Sequence, residues 1–205
     1  MTLLSKPLRR FAQDESGVTI VEFALIALPM LVMVIGGLDF GYQSYLRAMM
    51  QGSLNDAART ASVENPIIGV DGDSIEEQVE NMIRASVVAP GSEIKVTQKS
   101  YFDFSDIGNP ERLMTDHNEN GKFDASDGDC WEDANGNGQY DLDAGSSGNR
   151  GANDVVFYTA TLTMPRLFPV HAFLPSVPDE LSYSFQTAVR NQPYDDQVAP
   201  GVICA

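Results

Sequence analysis

The feature that most constrains this chain is an apolar run of 21 residues, Val18–Leu38, in which Glu22 is the only charge. A transmembrane helix needs about 20 such residues, so the run is predicted to cross a bilayer once. A secretory signal has a shorter apolar core of about 7–15 residues, which favours retention of the span over its removal. Basic residues precede the run at Lys6, Arg9 and Arg10, and acids follow it. Positive charge marks the cytoplasmic side, so the rest of the chain is predicted to be exported.

Composition narrows the classes of function. The chain has 205 residues and a formal net charge of −16, so we expect one domain with appendages. A nucleic-acid-binding surface needs clustered Lys and Arg, and the acidity therefore favours cations over nucleic acid as partners. The sequence also lacks a recognisable nucleophile–base pair, a GxSxG motif and a phosphate-binding glycine loop. We therefore expect no enzymatic activity.

Glu22 is out of place in an apolar helix. Glu22 lies near the cytoplasmic end of the span, where a lone carboxylate still costs a few kcal/mol unless it has a partner. Cleavage of the chain after Gly17 would create such a partner, because the new α-amino group of Val18 would carry a positive charge. Val18 lies four residues before Glu22, one turn along the same helix face. The alternative is that Glu22 simply lies among the lipid headgroups.

These residues carry a resemblance to a known family. The stretch FAQDESGVTIVEFALIALPMLVMVIGGLDFG, residues 11–41, resembles the class III signal of type IV pilin-like proteins. It is most similar to the TadE-like pseudopilins of tight-adherence (Flp/Tad) pilus systems. The resemblance implies that prepilin peptidase cuts after Gly17, that Val18 becomes the N-terminus, and that Glu22 and Phe23 form the recognition pair. It also implies an inner-membrane location, with other pseudopilins and the pilus assembly machinery as partners.

The length of the chain favours a minor pseudopilin over the far shorter major pilin. The alternative function is an uncleaved, membrane-anchored calcium-binding module for adhesion or ligand binding. The N-terminus of the mature protein distinguishes the two hypotheses, because only the pseudopilin is cut.

Periodicity in the rest of the chain predicts an α+β fold. The long helix continues to about Val63, and Ser74 with Glu77 forms the capping-box signature of a second helix. Three alternating segments, EIKVTQKSYF, DVVFYTATLTM and LSYSFQTAVR, are predicted strands. Because no helical pattern separates them, we expect an antiparallel sheet packed on the long helix. The predicted packing stripe of that helix consists of Phe40, Leu46, Met49, Met50, Leu54, Ala57, Ala58 and Ala61.

The predicted organisation has three parts. Residues 1–17 are a cytoplasmic leader, residues 18–38 a transmembrane helix, and residues 39–205 an exported pilin-like domain with a calcium-loop insert at 116–154. The proline-rich segment 165–178 is interpreted as a loop over the core, with the membrane surface or another subunit as alternative contacts. The closing segment NQPYDDQVAPGVICA is predicted to be a loose tail.

The insert contains a match to the twelve-residue calcium loop. In DHNENGKFDASD, oxygen-bearing side chains recur at alternate positions, a glycine allows the turn at the sixth, and the backbone carbonyl of the seventh is available. Hard oxygen ligands suit a hard cation, and a weak extracellular affinity of about 10⁻⁴ to 10⁻³ M is expected. The predicted ligands are Asp116, Asn118, Asn120, Lys122, Asp124 and Asp127.

A second stretch, DANGNGQYDLDA, repeats the pattern with one departure. Ala144 stands at the twelfth position, and Asp143 is predicted to substitute for the missing carboxylate. The predicted ligands are Asp133, Asn135, Asn137, Gln139, Asp141 and Asp143. Both loops resemble dockerin or thrombospondin type 3 calcium repeats, so one or two Ca²⁺ ions are expected. The alternative is a solvated, disordered Asn-Gly loop.

Two cysteines, Cys130 and Cys204, lie on the predicted exported side, where disulfides persist. A bridge between them would fasten the C-terminal tail to the insert. Two free thiols, or pairing between subunits, are the competing possibilities.

Overall fold

The computed structural model describes residues 18–63, 74–148, 151–169 and 175–205, so the leader up to Gly17 lies outside the described residues. Within these ranges the chain forms two α-helices, two short 3-10 helices and seven strands. The α-helices are α1 (Val18–Ala61) and α2 (Ile75–Ser86). The strands are β1 (Glu93–Tyr101), β2 (Leu113–Thr115), β3 (Cys130–Asp133), β4 (Ser146–Ser147), β5 (Val155–Pro165), β6 (Glu180–Arg190) and β7 (Gly201–Cys204).

Helix α1 continues from the apolar segment into the folded domain, as its periodicity predicts. It contains 44 residues, which corresponds to roughly 66 Å at 1.5 Å per residue. Pro29 lies inside the helix without ending it. One continuous element therefore connects the predicted membrane span to the core of the domain.

Helix α2 begins where the capping signature predicts. Ser74 is its N-cap, and the Ser74 hydroxyl accepts a hydrogen bond from the backbone N–H of Glu77 at 3.2 Å. This bond satisfies one of the backbone donors that a helix N-terminus leaves unpaired. Val79 and Ile83 are fully buried on the inner face of the helix, which packs against α1 and β1.

The main sheet has the strand order β4-β1-β5-β6, and all its pairings are antiparallel. Its three long strands are the three predicted from alternation, so the α+β prediction is confirmed. Both helices cover one face of this sheet. The opposite face of β6 carries Ser182, Ser184 and Gln186, all exposed, and the arrangement is therefore two layers with one solvated side.

The core lies between the helices and the sheet, and most of the predicted stripe of α1 is in it. Phe40 is an exception, because it is 69% exposed. Asp39 takes its place on the packed face and is only 8% exposed. The buried core residues of the helices and the sheet are Leu46, Met50, Leu54, Ala57, Ala58, Ala61, Val79, Ile83, Val87, Ile94, Val96, Val156, Tyr158, Ala160, Leu162 and Met164.

The two ends of the main sheet have different neighbours. At one end, Arg166 lies next to Asp39, with Nη1 and Oδ2 3.6 Å apart; we call this the membrane-proximal end. At the other end, the N–H of Gln192 donates to the carbonyl of Ser62 at 2.9 Å; we call this the distal end. The chain between β1 and β5, which contains both predicted calcium loops, starts and finishes at the distal end.

A second sheet has the strand order β2-β3-β7. Its central strand β3 pairs with β7 through Trp131 opposite Ile203 and Cys130 opposite Cys204. The prediction of a loose C-terminal tail is therefore wrong for residues 201–204. They form an ordered strand because β3 supplies hydrogen-bond partners that lie far away in the sequence.

Candidate functional site

The first half of α1 has almost no cover within the described fold. Its large apolar side chains from Ile20 to Leu38 are between 40% and 77% exposed. It is the one described helix that is long and apolar enough to cross a membrane. An apolar surface of this size needs lipid or another protein to cover it. The chain is therefore a single-pass membrane protein by the character of this helix.

Three of the four predicted processing and recognition residues, Val18, Glu22 and Phe23, lie in the described part of α1. Gly17 lies outside the described residues. Glu22 is exposed, and Phe23 is 70% exposed. Neither side chain is therefore covered by the described fold.

The first predicted calcium loop is built around Asp116. Its Oδ2 accepts the N–H of Gly121 at 2.7 Å, and its Oδ1 accepts the N–H of Asn120 at 3.3 Å. Gly121 has φ +74°, a left-handed conformation that glycine adopts without a Cβ clash. The carboxylate at the first position therefore closes the loop onto the glycine at the sixth.

Amide and carboxylate groups meet inside this loop. The Nδ2 of Asn120 donates to Asp124 Oδ2 at 2.6 Å, and the Nδ2 of Asn118 donates to the same oxygen at 3.2 Å. Asn118 also donates to the carboxylate of Asp127. Five of the six predicted ligands are thus linked to one another by these hydrogen bonds. The sixth, Lys122, donates its backbone N–H to Asn120 Oδ1 at 2.7 Å.

The second loop repeats this geometry almost bond for bond. Asp133 Oδ2 accepts the N–H of Gly138 at 2.9 Å, and Oδ1 accepts the N–H of Asn137 at 3.1 Å. Asn135 and Asn137 both donate to Asp141 Oδ2, at 2.7 and 2.6 Å. The N–H of Gln139 bonds to Asn137 Oδ1 at 2.7 Å. The internal sequence repeat is therefore also a structural repeat.

Asp143 does not join this second group. Its Oδ2 lies 2.5 Å from the ammonium of Lys99, and its Oδ1 accepts the N–H of Gly145 at 3.1 Å. Burial acts to raise the pKa of Asp143, but hydrogen bonds from Lys99, Gly145 and Tyr101 outweigh it and lower the pKa. In the described fold a lysine on β1 therefore binds this carboxylate, and the substitution of Asp143 for Ala144 as a calcium ligand stays a prediction.

Two buried carboxylates that the loop template omits hold the loops in place. Asp129, which is fully buried, accepts the N–H of His117 and of Asp124, both at 2.9 Å. Those residues occupy the second and ninth positions of the first loop. The hydrogen bond from His117 is the largest cause that lowers the pKa of Asp129.

Glu111 makes the equivalent contacts in the second loop. It is 2% exposed and accepts the N–H of Ala134 at 2.9 Å and of Asp141 at 3.1 Å, again the second and ninth positions. Burial raises the pKa of Glu111. We call Asp129 and Glu111 the clamp carboxylates. Sequence reasoning missed them because a template of ligand positions contains no information about the groups behind the loop.

Aromatic side chains join the two loops. Phe123 and Tyr140 stack with ring centroids 4.5 Å apart and an interplanar angle of 18°. Trp131 meets the edge of both rings, at 5.0 Å from Phe123 and 6.3 Å from Tyr140. The loops therefore share a small aromatic core of their own.

The cysteines fasten the last strand to this unit. Cys130 and Cys204 form a disulfide between β3 and β7. The N–H of Ala205 also donates to the carbonyl of Asp129 at 3.1 Å. Of the possibilities open from sequence, the described fold has the intramolecular bridge.

The oxygen-rich loops are suited to a hard cation by ligand type. Among the residues that the structure describes, however, no group of three or more His, Cys, Asp or Glu side chains is arranged to hold a metal ion. Asparagine side chains stand between the carboxylates in both loops. Calcium binding therefore stays a prediction.

The fold and the exposed helix define a class of protein: a single-span membrane protein whose transmembrane helix is also the packing helix of a small α+β domain. Residues 17–59 match the model of the TadE-like protein family. This match connects the chain with the tight-adherence (Flp/Tad) pilus systems, their assembly machinery and the membrane. No curated protein and no solved structure matches the chain.

Proposed function

We propose that this protein is a minor pseudopilin that takes part in the assembly of a tight-adherence (Flp/Tad) pilus. It is anchored in the inner membrane, with the α+β domain on the periplasmic side or at the cell surface. The observation that carries the proposal is that the TadE-like segment, residues 17–59, coincides with α1. The first half of that helix is uncovered and the second half is core. No catalytic role is part of the proposal.

We also propose that prepilin peptidase cleaves the chain after Gly17. Val18, the residue that the cut would expose, is helical. Its new ammonium group would lie one helical turn before Glu22. Because Glu22 is exposed, the ammonium of a neighbouring subunit can neutralise it as well. Neutralisation removes most of the cost of a carboxylate near the membrane core.

Mass spectrometry of the mature N-terminus tests the processing step. In cells with an active prepilin peptidase the chain should begin at Val18, and in cells without the peptidase the leader should remain. A chain that keeps its leader in both strains would contradict the pseudopilin proposal. It would favour the uncleaved calcium-binding adhesion module instead.

The role of Glu22 is tested by two variants that each remove one carboxylate. Glu22→Gln should abolish co-purification with the other pseudopilins, because the ion pair between Glu22 and the Val18 ammonium of a neighbouring subunit is lost. Glu93→Gln removes an exposed acid of the α+β domain and should leave co-purification intact. Equal co-purification of both variants with the other pseudopilins would show that Glu22 has no role in assembly.

We further propose that the insert binds one or two Ca²⁺ ions. The support is the repeated arrangement of a first-position carboxylate, two asparagines and a ninth-position aspartate in both loops. The carboxylate oxygens, the asparagine amide oxygens and a backbone carbonyl of each loop are the kind of oxygen donors that calcium requires. The first loop has one more carboxylate, Asp127, and should bind more tightly than the second, in which Ala144 stands at that position.

Calorimetric titration of the full chain in detergent with CaCl₂ tests this proposal. We expect uptake with a Kd of about 10⁻⁴ to 10⁻³ M. Asp116→Asn should remove the tighter event, and Asp195→Asn, in the exposed segment before β7, should leave it unchanged. Absence of heat in the unmutated protein would refute calcium binding without affecting the pilus proposal.

A further inference from the structure

The membrane-proximal end of the domain lies at the level where the apolar segment ends. The 21 residues from Val18 to Leu38 rise by about 31 Å as a helix, which matches the hydrocarbon thickness of about 30 Å. Asp39 is therefore the first residue beyond the hydrocarbon region. Its side chain is 12% exposed and faces the folded domain rather than the outside.

An ion pair holds the loop after β5 at this level. Arg166 Nη1 lies 3.6 Å from Asp39 Oδ2, and only 16% of the Arg166 side chain is exposed. The same guanidinium donates through Nε to the carbonyl of Pro178 at 2.8 Å, and the N–H of Arg166 bonds to the carbonyl of Asp179 at 3.2 Å. Three attachments therefore fix Arg166, and with it Leu167, at the boundary of the bilayer.

Two exposed apolar side chains occur at this end, on two different turns. Leu167 follows Arg166 and is 51% exposed, and Val88, between α2 and β1, is 78% exposed. The two turns are adjacent, because a Cβ placed on Gly91 would lie 3.3 Å from Cγ of Pro165. Both turns therefore lie at the membrane-proximal end.

Residues of α1 at the same level have the character of a membrane interface. Phe40 is 69% exposed and Tyr45 is 58% exposed. Exposed aromatic residues just beyond an apolar span are typical of the headgroup region. The neighbouring Glu93, Asp179 and Glu180 are acidic and exposed, so a neutral lipid surface fits this end better than an anionic one.

We propose that the membrane-proximal end of the domain rests on the outer surface of the bilayer, with Leu167 and Val88 inserted among the lipid headgroups. The proposal depends on α1 crossing the bilayer and does not depend on the pilus role. Contact at these turns, together with α1, fixes the tilt of the domain at two points. The distal end, with the calcium-loop insert, is then held roughly 33 Å from the membrane, the rise of α1 from Asp39 to Ala61.

Tryptophan fluorescence in lipid vesicles tests the contact. The full chain is reconstituted into phosphatidylcholine vesicles, with and without phosphatidylcholine brominated near the top of its acyl chains. Single tryptophans are introduced as Leu167→Trp and Val88→Trp. The matched control is Leu142→Trp, in the insert, where Leu142 is 80% exposed. The native Trp131 is 4% exposed, and the unmutated chain supplies its signal for subtraction.

We expect bromolipid to quench Leu167→Trp and Val88→Trp at least about twofold more than Leu142→Trp, because only the former two contact acyl chains. Near-ultraviolet circular dichroism of each variant establishes that the fold is kept. Quenching of both test variants no greater than that of Leu142→Trp would overturn the proposal. Blue-shifted emission without quenching would also overturn it, since protein, either the chain itself or a second copy, would then cover this end.

Discussion

Phe123 and Tyr140 occupy the same position, the eighth, in two successive twelve-residue loops, and their rings stack 4.5 Å apart. Both rings pack on Trp131 of β3. The insert is therefore not two independent loops on flexible strands. It is a paired unit in which the order of one loop supports the order of the other.

This pairing predicts an energetic coupling between the loops. Phe123→Ala and Tyr140→Ala should each destabilise the insert, because each removes half of the stacked pair. In a double-mutant cycle the two effects should be non-additive by about 1 kcal/mol, the usual strength of an aromatic pair. The measurement is chemical denaturation followed by the fluorescence of Trp131, which lies between the loops.

A matched cycle supplies the control. Phe123→Ala combined with Phe185→Ala, on β6 of the main sheet, should be additive because the two residues pack in separate clusters. Additivity of the Phe123 and Tyr140 effects would show that the loops are ordered independently.

The helices and the long strands could be predicted because each repeats one local pattern over many residues. The burial of Asp39 in place of Phe40 on the packed face of α1 could not be predicted in this way. Burial of an acid at that position depends on Arg166, which approaches only after the sheet has formed. A helical pattern read alone places the aromatic residue inside and the acid outside.

The candidate site likewise combines contacts that local sequence patterns predict with contacts that they do not. The positions of Asp116 and Asp133 in their loops followed from spacing, since a first-position carboxylate reaches the glycine of its own loop. The clamp carboxylate Glu111 and the Lys99 partner of Asp143 come from elsewhere in the chain, and no local pattern indicates them. Strands of two to four residues, such as β7, are also too short to show alternation.

Tyr101 should titrate at unusually high pH. Its side chain is nearly fully buried, and burial, followed by the hydrogen bond and charge of Asp143, raises the pKa of Tyr101 to about 12. The folded pKa lies above the unfolded value of about 10. The contribution of Tyr101 to stability is therefore complete below about pH 10 and is lost as the pH rises through about 12.

Phenolate absorbance as a function of pH checks this expectation. Tyr101→Phe should remove one late-titrating phenol, and the decrease in stability between about pH 10 and 12 should become shallower. Asp143→Asn should lower the pKa of Tyr101, because it removes the nearby negative charge. A Tyr101→Phe titration curve identical to that of the unmutated protein would contradict the assignment.

Gly145 is required by its contact with Tyr101. A Cβ on Gly145 would lie 2.7 Å from Cε1 of the Tyr101 ring, a distance at which the ring has to move. Gly145→Ala should therefore lower the free energy of unfolding by about 1–3 kcal/mol. Gly52→Ala provides the opposite control, because Gly52 lies in α1 with no atom near its Cβ position. That variant should raise stability by about 0.5–1 kcal/mol, and a similar loss in both variants would contradict the packing argument.

Reduction of the Cys130–Cys204 disulfide should release the last strand while the main sheet stays folded. β7 has four residues, pairs with β3, carries one end of the bridge, and has Val202 56% exposed. Closure of a long loop typically contributes about 2–4 kcal/mol, and the double variant Cys130→Ser with Cys204→Ser should lose an amount of this size.

Hydrogen exchange measures the effect by region. Amides of β3 and β7 should exchange faster in the variant, whereas those of β1 and β5, which pack in the main core, should keep their protection. Unchanged exchange in β7 would show that backbone pairing alone holds the tail, and loss of protection throughout the main sheet would show that the insert and the core unfold as one unit.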